Sequence, residues 1–170
     1  MPALVALRRH YPKAHIAWLV EEVAAEMLQR HVALDEVILW PRRQFQKDIK
    51  ALHWFNAARA FRDVLARVRG RRFDLVLDFQ GLLKSALWVF LAKGTRKVGF
   101  GPGMDHSEGS HLVLNERIAA VSMEVHALER GMMLLEKLEI PRGPVEYEFP
   151  HNHEAAAAVD EFLSMLHFTH

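Results

Sequence analysis

The sequence predicts an α/β fold: a Rossmann-like open parallel sheet with helices on both faces. Three observations predict it. Short β-branched runs alternate with longer segments of helical periodicity. One strand-like run, Phe73 to Phe79, leads through Gln80-Gly81 straight into a helical pattern. Finally, 51% of the 170 residues are apolar, enough for one compact domain with a sizeable core and too few for two large ones.

The elements follow in order. Ala3 to His10 reads as a helix, with Pro2 suited to its first turn. Tyr11-Pro12 ends it, because the residue before a proline avoids the helical region. His15 to Val20 is a strand, Glu21 to His31 a helix, and Asp35 to Trp40 a second strand stopped by Pro41. Arg42 to about His53 reads as a basic connection. In the next helix, Ala57 to Val68, the residues Ala57, Phe61, Val64, Leu65 and Val68 recur at helical spacing. Phe73 to Phe79 is the clearest strand, and after the Gln80-Gly81 turn Leu82 to Ala92 forms a helix. Lys97 to Phe100 is a short strand before the loop Gly101-Pro102-Gly103. His126 to Glu139 makes a long helix ending before Pro141, and Glu154 to Leu166 makes another. These divide into a sheet-containing domain over 1–150 and a helical tail over 151–170. A sheet of this kind normally begins with a strand, whereas this chain begins within a helix; a preceding central strand is therefore expected to be missing, leaving ladder groups of its two neighbours open.

Composition removes several chemistries. With no cysteine, a disulfide framework, a thiolate zinc site, an iron–sulfur cluster and a cysteine nucleophile are excluded. No apolar run approaches the roughly 18 residues of a membrane span, and the amino terminus lacks the apolar core of a secretory signal. The net charge of +1 hides an asymmetry: ten basic residues face two acidic ones over Pro41 to Arg72, while four face twelve from Gly99 onward. Such a divided field draws an anionic partner to one region. On the helix, Arg59, Arg62, Arg67 and Arg69 fit a solvated face.

The stretch Asp78-Phe79-Gln80-Gly81-Leu82-Leu83-Lys84-Ser85 carries the most chemistry. Ligands of parallel sheets bind beyond the carboxyl ends of strands, where loops enter helix amino termini. Asp78 belongs at such an end, Gly81 allows close backbone approach, and Lys84 brings a mobile positive charge. The duller alternative is a buried Asp78 that holds the following helix through its side chain, with Lys84 solvated. Neither the GxxxxGK[ST] nor the G-x-G-x-x-G spacing occurs, so a phosphate-cradling nucleotide loop has no support. His106 lies in a glycine-flanked loop with no evident orienting partner, and His151-Asn152-His153 lacks a third metal ligand. His126 and Glu129 sit one turn apart at a helix start. Trp18, Trp40, Trp54 and Trp88 fit core or interdomain surface better than a sugar-stacking platform. No catalytic residue, metal or cofactor is assigned.

The chain resembles the lipopolysaccharide heptosyltransferases of glycosyltransferase family 9, over Met1 to about Pro150. The residues that carry the resemblance are Pro2-Ala3-Leu4 with Pro12, Trp18-Leu19-Val20-Glu21-Glu22, Arg42-Arg43 with Lys47, Phe73 through Ser85, and His126-Ala127-Leu128-Glu129-Arg130. The resemblance implies the amino-terminal half of a GT-B glycosyltransferase, lacking its first strand. That half receives the acceptor, Kdo-lipid A, while ADP-heptose would bind the other half of a full-length enzyme. Heptose would pass to Kdo of the inner core with inversion. It further implies acceptor contacts from Arg42, Arg43, Lys47, Asp78, Gln80, Gly81 and Lys84, a cytoplasmic location, and peripheral contact with the inner membrane. In the family, a glycine-aspartate loop ahead of the first helix supplies the general base, and that loop falls before Met1; an arginine expected near His106-Ser107-Glu108 is not evident. The expected result is a heptosyltransferase fragment that is inactive alone. The alternative is a non-catalytic module binding an anionic sugar or phosphate ligand, with no role for nucleic acid.

Overall fold

Parallel pairing requires a crossover between strands, and the order of elements supplies one each time. The computed structural model describes residues 2–104, 109–122, 124–141, 143–146 and 153–165. Its elements are α1 (Pro2–His10), β1 (Ala17–Glu21), α2 (Glu22–Leu28), β2 (Glu36–Trp40), α3 (Arg42–Lys50), α4 (Trp54–Gly70), β3 (Phe73–Leu77), α5 (Leu83–Leu91), β4 (Gly94–Phe100), a 3₁₀ turn (Ser110–Val113), β5 (Glu116–Ile118), α6 (Ala127–Glu136) and α7 (His153–Met165). Every strand pair is parallel, with Val20 opposite Leu39, Val76 opposite Lys97 and Val98 opposite Glu116.

The sheet comes in two pieces: β1 pairs with β2, and β3, β4 and β5 form a second ladder. Side-chain alternation shows that both pieces lie between the same helical layers. Leu75 and Leu77 of β3 point into a cluster with Leu7 of α1 and Met132, Leu134 and Leu135 of α6. Val76 between them points the other way, to Val64 and Val68 of α4 and Trp88 of α5. From β1, Ala17 and Leu19 join that second cluster, whereas Trp18 and Val20 pack with Leu4 of α1 and Leu28 of α2. Across the interval between the pieces, Trp18 stacks on Phe79 with ring centroids 5.5 Å apart and planes within 5°. The expected architecture, parallel with helices on both faces, is the one observed.

Several elements differ from the sequence reading. Arg42 to Lys50, read as connection, is helix α3, because Phe45 and Ile49 lie one turn apart and Phe45 packs against Trp40 at 4.8 Å. Helix α4 starts three residues before Ala57, and β4 begins at Gly94 rather than Lys97. The three-residue β5 carries no apolar run; its pairing with β4 makes it a strand.

Candidate functional site

The carboxyl ends of β1, β2 and β3 open on the same side, and the sequence places a charged or turn-forming residue just past each. Past β3, Asp78 is buried and its carboxylate organises the turn. Its Oδ1 accepts from the backbone N–H groups of Gln80 and Gly81, both at 3.0 Å, and Oδ2 faces the Ser85 hydroxyl at 3.0 Å. Ser85 Oγ in turn accepts from Leu82 N at 3.2 Å, closing the first turn of α5. Gly81 takes φ +66°, and its carbonyl accepts from the buried Ser110 hydroxyl at 2.7 Å. Burial pushes the Asp78 carboxyl above its ordinary range, against the pull of its hydrogen bonds from Gly81, Ser85 and Gln80. With both oxygens engaged inside the turn, Asp78 positions the loop.

The cations gather around a residue that the sequence placed at the start of a helix and within the resemblance, and that the structure makes the end of a strand. Glu21, the last residue of β1, lies between Arg42 at the start of α3 and Lys84 in the first turn of α5. Lys84 Nζ is 3.1 Å from Glu21 Oε1, and Arg42 Nη1 is 3.5 Å from Oε2. The neighbouring Glu22 accepts from the backbone N–H of Arg43 at 3.2 Å. Residues remote in sequence thus converge because three strand ends meet there. Lys84 is not simply solvated, since it pairs with Glu21. The side chains of Arg43 and Lys47 are exposed on successive turns of α3, and that of Gln80 is exposed at the rim. The signal that could have identified Glu21 is its position: an acid closing a half-buried strand at the ligand-facing end.

The other candidates separate. His126 caps α6, its Nδ1 accepting from Leu128 N at 3.3 Å, which is a structural use. Trp40 and Trp88 are buried core, whereas Trp54 is exposed. His106, Ser107, Glu108, His151 and Asn152 lie outside the described residues. Among the described residues no three His, Asp or Glu side chains gather as a metal centre.

Gly81 offers a direct check on the loop. An L-residue at its positive φ is strained, and an added Cβ would sit 3.4 Å from the Phe100 ring and 3.5 Å from Met104 Sδ. Gly81→Ala is expected to lower stability by about 1–2 kcal/mol, measured as a shift in the urea unfolding midpoint.

Lipopolysaccharide heptosyltransferase 1 of Pseudomonas aeruginosa is 31% identical over 176 residues, which span all of this chain and 47% of the relative. The Salmonella typhimurium protein of the same name is 31% identical, spanning 99% of this chain and 54% of the relative. The solved E. coli heptosyltransferase WaaC with ADP-2-deoxy-2-fluoro heptose superposes with a TM-score of 0.72 at 28% identity, covering 86% of this chain and 46% of that one. E. coli ADP-heptose lps heptosyltransferase II shares the fold at a TM-score of 0.55 and 17% identity. The chain spans about half the length of the relatives it matches. The model of glycosyltransferase family 9 (heptosyltransferase) matches residues 61–169, which include the Asp78 turn, Lys84 and α6. With that match over more than half its length, and the parallel fold shared with WaaC, the chain belongs to glycosyltransferase family 9, the heptosyltransferases.

Proposed function

We propose that this chain forms the acceptor-receiving half of a heptosyltransferase that passes heptose from ADP-heptose to Kdo of the lipopolysaccharide inner core. The observation that carries the reading is the cationic cluster Arg42–Glu21–Lys84 beside the Asp78 turn, flanked by exposed Arg43 and Lys47. An acceptor bearing carboxylates and phosphates suits guanidinium forks and mobile ammonium groups. Gln80, exposed at the rim, would border the sugar, while buried Asp78 and Gly81 would fix the loop that carries it. The acceptor would be Kdo-lipid A, met at the cytoplasmic face of the inner membrane. ADP-heptose would be held by the remainder of a chain of the relatives' length.

Isothermal titration of a soluble Kdo-containing acceptor tests the site. Arg43→Ala with Lys47→Ala is expected to weaken binding by about tenfold or more, and unchanged affinity would remove Arg43 and Lys47 from the acceptor site. Transfer needs a free proton acceptor near the sugar hydroxyl. Asp78 is engaged by three donors and Glu21 by two cations, so the 170-residue chain alone is expected to release no ADP from ADP-heptose with Kdo-lipid A. Family-like ADP release would overturn that expectation. Acceptor binding without ADP release, persisting in a chain of the relatives' full length, would favour the non-catalytic binding module.

A further inference from the structure

The corner between α3 and α4 presents apolar side chains that the core does not use. Leu52, Trp54 and Phe55 are 68%, 60% and 81% exposed, while residues 50–56 are all exposed. The corner is nevertheless ordered by backbone bonds: Ala51 N donates to Lys47 O, Leu52 N to Ile49 O and His53 N to Asp48 O. Leu52 holds φ +59°, an unusual conformation for a branched side chain, and the turn directs it outward.

Cations flank this apolar tip on both helices. Arg43, Lys47 and Lys50 recur at helical spacing on the exposed side of α3. Phe55, Arg59 and Arg62 do the same on α4. Asp48 is buried, so the exposed acid on these two helices is Asp63, which lies 3.8 and 3.9 Å from Arg59 and Arg62. Helix α4 ends just before β3 begins, so its start lies at the carboxyl edge of the sheet, the edge where Arg42 and Lys84 meet Glu21.

From this arrangement we infer that the α3–α4 corner is a docking surface for an anionic phospholipid bilayer, with Leu52, Trp54 and Phe55 entering the headgroup region and Lys50, Arg59 and Arg62 meeting lipid phosphates. Tryptophan and phenylalanine favour the membrane–water boundary, and nearby lysine and arginine side chains reach headgroups from it. Apolar entry and charge attraction combine, since either alone anchors weakly. The surface shares the face of the proposed acceptor site but rests on different side chains at its tip.

Co-sedimentation of the full 170-residue chain with phosphatidylcholine vesicles, with and without phosphatidylglycerol, tests the inference. Binding is expected only with phosphatidylglycerol, weakening as salt rises. Trp54→Ser with Phe55→Ser is expected to reduce partitioning by about tenfold or more, with circular dichroism unchanged and titration of the soluble Kdo-containing acceptor unaffected. Lys50→Glu with Arg59→Glu should weaken partitioning and flatten its salt dependence. Brominated acyl chains should quench Trp54 emission in the wild type, and Trp54→Phe should remove that quenching while retaining vesicle binding. Equal binding by the Trp54/Phe55 variant, no binding by the wild type, or equal binding to vesicles lacking phosphatidylglycerol would overturn the inference. So would concentration-dependent dimerisation abolished by the same double variant, which would assign the corner to a second copy. Loss of acceptor binding in Arg43→Ala/Lys47→Ala variants bears on the acceptor site alone.

Discussion

Trp88→Ala is expected to lower unfolding free energy by about 3–5 kcal/mol, seen as a lower urea midpoint. Trp88 is buried on α5, with its ring centroid 5.0 Å from Trp40 of β2 and 5.4 Å from Phe61 of α4. The same cluster holds Leu19 of β1 and Val76 of β3, so it joins two ladders that, among the described residues, no strand pairing connects. Removing the indole leaves a void that surrounding elements can fill only by moving together. A loss of that size approaches the whole stability of many domains, about 5–15 kcal/mol. Trp88→Phe keeps most of the volume and should cost less than half as much. An alanine variant with an unchanged midpoint would show that the cluster does not hold the ladders together.

Asp78→Ala is expected to cost about 2–4 kcal/mol, because it leaves two amides and a hydroxyl around a buried gap. Asp78→Asn should cost far less: its oxygen can still accept from Gln80 and Gly81, and its amide can donate to Ser85 Oγ. The pair of variants separates geometry from charge. Burial raises the carboxyl's folded-state pKa above 3.8. A raised value means the folded state holds the proton more tightly than the unfolded chain. The corresponding stability is therefore full below the unfolded pKa and lost as pH rises through the folded one. Asparagine has no such loss, so wild type minus Asp78→Asn should shift in favour of the variant as pH climbs from below about 4 through that window. Glu116 behaves oppositely. The hydrogen bond from Arg96 lowers its pKa, so its contribution fades on acidification, and salt should shrink it because the pair is exposed.

The strand leading to Asp78 was legible because apolar periodicity, an acid and a Gln-Gly turn all point to one local structure. Lys84 was legible as a charge near a loop, but its partner was not. Glu21 lies 63 positions away, and only assembly of the strands brings the two together. Helix α3 escaped notice for a different reason: its nine residues include just two apolar ones, Phe45 and Ile49, and Pro41 before it supplies no side-chain cap. Packing on Trp40 decides that helix, and a one-dimensional pattern does not contain it. The same holds for Glu116 to Ile118, whose strand character comes from lying beside Val98 to Phe100.

Division of the sheet has a consequence for how the backbone breathes. Within β1 and β3, alternate amides point toward β2 or β4, and the intervening ones point toward the interval bridged by Trp18 and Phe79. Deuterium should therefore enter these two strands in a one-in-two rhythm, slow where a neighbouring strand accepts the N–H and fast where none does. Most proteins confine such a rhythm to their periphery; here it would run down the middle of the molecule.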